Sequence, residues 1–182
     1  IRGEIGVNID EDIAYRIGRA VAQHFSAKSV VIGFDARETS PAFAAAASQG
    51  ARDAGADVIN IGMAGTEEMY WAVTEFDACA GIEVTASHNP INYNGMKIVK
   101  SHSRPLDDAD DFQAIKALAG SQEWLSDAEI GEELDRSAEA RKTYVDRVLS
   151  FVNVKALRPL KVVVNSGNGA AGPTFDALSE RL

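Results

Sequence analysis

The chain has 182 residues, 46% of them hydrophobic and 25% charged, a length and make-up that suit one globular domain, or one plus a fragment of another. Its 27 acidic residues outnumber 18 basic ones, for a formal net charge of −9. That excess argues against nucleic acid or an anionic membrane as the main partner, because both select basic surfaces.

The chain opens on Ile1 rather than methionine, so residues before it are expected. Asp10 is placed to cap a helix running to about Phe25, with Ile13, Ile17 and Val21 on one face. Ser29–Phe34 is a short apolar run of buried-strand type. Ser40-Pro41 reads as a helix start, a serine cap followed by a proline whose missing N–H costs nothing there. That helix should continue to Ala54 and stop at Gly55. Asp57–Ile61 is the next strand, Gly65–Glu75 a helix, and Cys79–Val84 a third strand. Cys79 is the one cysteine, which excludes an internal disulfide and fits a reducing, cytoplasmic setting. No apolar run has the length of a membrane span, and no signal peptide is visible.

Gly81–Lys97 reads GIEVTASHNPINYNGMK. Ile82 and Val84 alternate with polar neighbours as in a half-buried strand. Ser87 and His88 then lie on a polar loop, with Asn89 pushed toward extended backbone by Pro90. Asn94-Gly95 is a strong hairpin-turn signal, after which Met96–Val99 should return as a strand and bring Lys97 back toward Ser87. Asp107 is placed to cap a helix to Ala119 ended by Gly120, with Phe112, Ile115 and Leu118 inward. The acids Asp107, Asp108, Asp110 and Asp111 suit the positive end of that helix. An EF-hand loop counted from Asp107 would need glycine where Phe112 stands. His24 and His102 have no partner spacing. Residues 121–138 show no period and read as an irregular connection. A helix follows from about Ala140 to Val152, then a buried-type strand at Lys161–Asn165, a glycine loop, and a helix from Pro173.

Strands alternating with helices imply an α/β fold, a three-layer α/β/α domain with a mixed, mainly parallel sheet. One strand and one helix cannot make a core alone, so residues 1–140 are expected to form one domain and 141–182 a linking helix with the start of a second α/β domain. Gly167-x-Gly169-x-x-Gly172 after a strand and before a helix also fits a dinucleotide fingerprint, which leaves an NAD-binding oxidoreductase as an alternative.

The run T-A-S-H-N-P followed by Y-N-G-x-K resembles the active-site serine loop of the α-D-phosphohexomutases, the phosphoglucomutase/phosphomannomutase family. Ile1-Arg2-Gly3 is similar to the end of that family's Y-D-I-R-G. Gly33–Ser40, reading GFDARETS, resembles its G-x-D-x-R-x-x-S segment, and Asn165–Gly172, reading NSGNGAAG, the opening of its second domain. With Gly65-Thr66-Glu67-Glu68, these look most like the bacterial phosphomannomutase branch.

The resemblance implies interconversion of mannose 6-phosphate and mannose 1-phosphate through a phosphoserine enzyme and a 1,6-bisphosphate. Phosphoglucomutase or another phosphohexomutase is the alternative within the family. Ser87 becomes the phosphoryl carrier, and a phosphoserine of roughly −1.5 to −2 charges needs compensation. The resemblance supplies it as Mg²⁺, bound to Ser87 through its phosphate and to aspartates of a D-G-D-G-D loop that does not occur in this sequence. It places Lys97 and Arg2 beside the transferred group as catalytic and substrate-binding residues. A lone lysine at a strand end or an arginine near a terminus is ordinarily just solvated. His88 reads either as a structural loop histidine or as a substrate contact with acid–base work. Asn89, Asn94 and Gly95 read as loop-shaping residues, and Asp35 with Arg37 as a structural ion pair. The implied partner is a small sugar phosphate, with no nucleic acid or membrane and a monomer favoured for the whole protein. The 182-residue piece is expected to be inactive alone.

Overall fold

In a computed structural model, which describes residues 1–125 and 128–182, most of the chain forms helices packed on both faces of one sheet. Thirteen elements follow in order: β1 (Arg2–Glu4), α1 (Glu11–His24), β2 (Ser29–Phe34), α2 (Ser40–Asp53), β3 (Asp57–Met63), α3 (Thr66–Glu75), β4 (Ala80–Val84), β5 (Tyr93–Lys100), β6 (Arg104–Pro105), α4 (Gln113–Ser121), β7 (Glu133–Asp135), α5 (Ser137–Leu149) and α6 (Ala171–Ser179). The sheet order is β1-β5-β4-β2-β3-β7, with β6 beside β5. The pairs β2–β3, β2–β4 and β3–β7 are parallel, while β1–β5, β4–β5 and β5–β6 are antiparallel. The mixed sheet is therefore as expected.

The period-2 alternation of the strands separates two cores. Val30 and Ile32 of β2 and Ala80, Ile82 and Val84 of β4 pack with α1 and α2. Val31, from the opposite face of β2, packs with Ile59 and Ile61 of β3, Met69 and Val73 of α3, and Ala140 of α5. Asp10 caps α1 as the pattern predicts, its carboxylate accepting the Ile13 N–H at 2.8 Å.

Five sequence expectations are corrected. Asn94-Gly95 is not a turn but lies inside β5. Asn94 is fully buried, donating through its side-chain amide to Thr39 Oγ1 at 2.9 Å and Ser40 Oγ at 3.1 Å. Gly95 lies against β1 so closely that a Cβ would stand 2.2 Å from the Ile1 carbonyl. Tertiary contacts override the local turn signal, and from within β5 the Gly95 carbonyl accepts the Thr85 N–H at 2.9 Å, at the start of the serine loop. Ser40 does not cap α2, because its hydroxyl donates to Asp35 Oδ1 at 2.6 Å instead.

Asp107 makes no side-chain cap. Asp108–Phe112 form one wide π-helical turn before α4, and α4 passes Gly120 to end at the left-handed Gln122. The stretch read as irregular contains β7, which three residues of pairing with β3 are enough to create; Ser126 and Asp127 of that stretch lie outside the described residues. Lys161–Asn165 is not a strand. Val162 is 68% and Val163 95% exposed, since no strand among the described residues stands beside them and an apolar run becomes a strand only against a partner surface.

Candidate active site

The parallel strands β2 and β4 and the helix α3 converge where a ligand site is expected in such sheets, at the carboxyl ends of the strands. β4 leads into a loop, residues 85–92, that returns as β5. Ala86 within it is fully buried, while Ser87 and His88 are exposed.

One side chain organises this loop. Arg37, just beyond β2, donates from Nη2 to the carbonyls of Ser87 at 2.9 Å and Asn89 at 2.6 Å. Its Nη1 donates to the carbonyls of Pro90 at 2.8 Å and Tyr93 at 3.1 Å. A guanidinium offers five N–H donors in a rigid fork, which suits such a convergence of acceptors. Asp35 holds the arginine in turn, with Nε 3.4 Å from Oδ2 and the Arg37 N–H 3.0 Å from Oδ1. The other Asp35 contacts reach the loop and α2: Thr85 Oγ1 donates to Oδ2 at 2.7 Å and Ser40 Oγ to Oδ1 at 2.6 Å. Asn89 is tied at both ends, its N–H donating to the Ala86 carbonyl at 3.0 Å.

Ser87 is thereby held in an unusual backbone conformation, with φ at +55°. A non-glycine residue there costs on the order of 1–3 kcal/mol and persists only where the surroundings impose it. Here they do: the Ser87 N–H donates to Thr85 Oγ1 at 2.9 Å and its carbonyl is taken by Arg37. The hydroxyl is left pointing out of the loop. Oγ lies 3.3 Å from His88 Nδ1, so the two neighbouring side chains do not diverge.

A cavity of about 350 Å³ opens beside the loop, lined by Arg2, Thr66, Thr85, Ser87, Met96 and Lys97. The antiparallel ladder that pairs Arg2 with Gly95 carries Arg2 into it. β5 presents Lys97, whose Nζ stands 5.1 Å from the Tyr70 ring centroid. The structure thus brings Arg2, Ser87 and Lys97 together and puts His88 beside Ser87 Oγ. Chemically this is an exposed hydroxyl facing two cations, an arrangement fit to receive and stabilise an anionic group. Among the described residues no group of three or more His, Cys, Asp or Glu side chains is placed to hold a metal ion.

Sequence reading undervalued Asp35 and Arg37. Their ion pair exists, but the arginine's hydrogen bonds go to a loop some 50 residues on, which no local pattern reveals. Thr85 and Thr66 stood in the quoted motifs without a role of their own, and so did Glu83 on β4, buried to 1% exposure. His24 also gains a partner that its spacing did not show, with Nε2 3.0 Å from Asp111 Oδ1, while Lys100 Nζ is 2.6 Å from Asp111 Oδ2. The glycine run 167–172 is a turn that passes into α6 at Ala171, but without the preceding strand that the dinucleotide fingerprint requires.

The family model described as "Phosphoglucomutase/phosphomannomutase, alpha/beta/alpha domain I" matches residues 1–125. A phosphomannomutase of Salmonella montevideo is 46% identical over 184 residues, covering 100% of this chain. One of Escherichia coli strain K12 is 45% identical over 182 residues, again over 100% of this chain. The chain spans 40% of the length of each. Among solved structures, a phosphoglucomutase/phosphomannomutase family protein from Burkholderia thailandensis superposes with a TM-score of 0.83 at 32% identity, covering 98% of this chain and 41% of the other.

Proposed function

The chain belongs to the phosphoglucomutase/phosphomannomutase family, and from that premise we propose that the whole protein is a phosphomannomutase interconverting mannose 6-phosphate and mannose 1-phosphate. The observation that carries the reading is the exposed Ser87 hydroxyl facing Arg2 and Lys97 across one cavity. The similar phosphomannomutases at 45–46% identity favour mannose, while the family also includes phosphoglucomutases, so a phosphoglucomutase is the alternative.

Phosphoryl transfer is mostly positioning and charge neutralisation. In the proposed cycle Ser87 starts as its phosphate ester. A substrate hydroxyl attacks phosphorus, the P–Oγ bond breaks, and the hydroxyl proton ends on Ser87 Oγ, giving a 1,6-bisphosphate. The other phosphate of that intermediate is then attacked by Ser87 Oγ, whose proton passes to the departing sugar oxygen. His88 Nδ1, 3.3 Å from Oγ, is the group placed to relay that proton. Arg2 and Lys97 face the negative charge on the moving group, and the Arg37 clamp fixes where Oγ stands. The partner is a small sugar phosphate. Of the described residues, the Ser87 phosphate would hold magnesium, which would neutralise part of the charge on the phosphoryl group.

The domain division is part of the same reading, with residues 1–140 as the serine-bearing domain and 141–182 leading into a second. The exposed Leu160, Val162 and Val163 support it, because such a run needs a sheet to cover it. The test is turnover of mannose 1-phosphate and glucose 1-phosphate by the full-length chain and by Ser87→Ala. A preference for mannose, and a loss of at least about 10³-fold in the variant, is expected; a variant with normal turnover rules the mechanism out.

A further inference from the structure

The face of the sheet under α3 holds a carboxyl that the cycle above does not use. Glu83 is 1% exposed, and neither of its oxygens has a hydrogen-bond partner. An ionised carboxylate left so costs several kcal/mol. Its slot is nevertheless made to measure. Gly33 stands opposite on β2, and a Cβ there would lie 2.5 Å from Glu83 Oε2. The carboxyl therefore leans over β2, away from β5.

On its other side Glu83 is directly opposite Lys97 of β5. Opposed residues on one face have Cβ atoms about 5 Å apart, and opposite charges there ordinarily pair. Among the described residues no ion pair joins these two, and the Lys97 ammonium lies over Tyr70 instead. The remaining charges near Glu83 do not compensate it. Asp35 beyond β2 and Glu67 and Glu68 of α3 are acidic themselves. Arg37 is engaged with Asp35, and Arg141 of α5 with Glu68. None of these groups neutralises an ionised Glu83, and a proton does.

We propose that Glu83 is a positioning residue acting through Lys97: as a neutral acid it leaves the Lys97 ammonium free for an anion in the Ser87 cavity, and once ionised it draws that ammonium back across the ladder. The identity of that anion, a phosphate monoester, rests on the mutase reading. Burial first, then the charges of Asp35, Glu68 and Glu67, push the Glu83 carboxyl well above the usual range. The ionised form is therefore reached as pH rises. The proton it gives up goes to solvent, the pocket loses one unit of positive charge, and anion affinity falls.

Sulfate binding to the full-length chain tests this, since the charge of sulfate is constant over the range. Wild-type affinity should fall about tenfold as pH rises and the carboxyl ionises. In Glu83→Gln the fall should vanish, and in Lys97→Gln the pH-dependent part of binding should be lost. Infrared spectra should show a protonated carboxyl C=O stretch at neutral pH that Glu83→Gln removes. If Glu83→Gln does not fold, the wild-type band must titrate in step with sulfate affinity. Absence of the band, a band that titrates apart from affinity, or a Glu83→Gln protein that keeps the wild-type fall overturns the proposal. Failure of the mutase reading would show differently, as absent sugar-phosphate turnover with both signals intact.

Discussion

Two stretches of this chain are alike in sequence and unlike in structure. Gly81–Asn92 and Lys161–Gly172 each run from an apolar segment into a loop rich in Ser, Asn and small residues. All five residues of β4 are buried, whereas Val163 is 95% exposed. The difference lies in the neighbours. β4 stands between β2 and β5, while the 161–164 run has no strand beside it among the described residues. Their loops differ for the same reason. Arg37 reaches across from β2 and gathers three carbonyls of the first and that of Tyr93 at the start of β5, while the second, among the described residues, has short-range ties such as the Gly167 N–H to Asn165 Oδ1 at 2.8 Å. A strand and a poised loop are therefore products of what surrounds them, and the contrast can be broken or sharpened by mutation.

Truncation of β4 should have the largest effect. Ile82 is fully buried between helix and sheet, and Ile82→Ala should cost about 4 kcal/mol in urea unfolding. Arg37→Met comes next, because it should make the serine loop behave like the glycine loop. Loss of the guanidinium strands up to four carbonyls, for about 3 kcal/mol of stability and, in the full-length chain, about 10²-fold in turnover. Arg37→Lys should recover little of either, since an ammonium has no fork.

A smaller effect is expected at the other end of β5, where Asp111 joins Lys100 to His24 of α1. The Asp107 N–H, then Lys100 and His24, hold the Asp111 carboxyl well below the usual range. Its stabilisation is thus complete at neutral pH and is lost as pH falls below about 4, through the folded-state pKa. Asp111→Asn should cost about 2 kcal/mol at pH 7 and flatten the acid side of a stability–pH curve. The smallest effect belongs to the second stretch: Val163→Ala in the 182-residue chain should change stability by less than about 0.5 kcal/mol. A loss there comparable to that of Ile82→Ala would erase the contrast.

Periodicity and caps made α1, β2 and β3 legible, because each is specified by its own residues: the Asp10 cap, the SVVIGF run, the apolar strand after Gly55. The residues of the site were legible one at a time. Ser87, His88, Lys97 and Arg2 each stood out in sequence, but what joins them did not. Arg37 owes its role to acceptors some 50 residues away, and Glu83 reads as one polar position in an alternating strand until Gly33 is seen to make room for it. Asn94-Gly95 misled for the same reason in reverse, since a strong local turn signal was overruled by β1 pressing on Gly95 and by α2 claiming the Asn94 amide. The strand β7 was invisible because β3, and not its own composition, makes it a strand.

The central claim is that Ser87 carries the phosphoryl group. Its most direct test is to incubate the full-length chain with mannose 1,6-bisphosphate and map the phosphate by tandem mass spectrometry. The account predicts one phosphate, on Ser87, that a subsequent addition of mannose 6-phosphate removes. A phosphate on another residue, or a protein that turns over substrate while Ser87 is never modified, would contradict it.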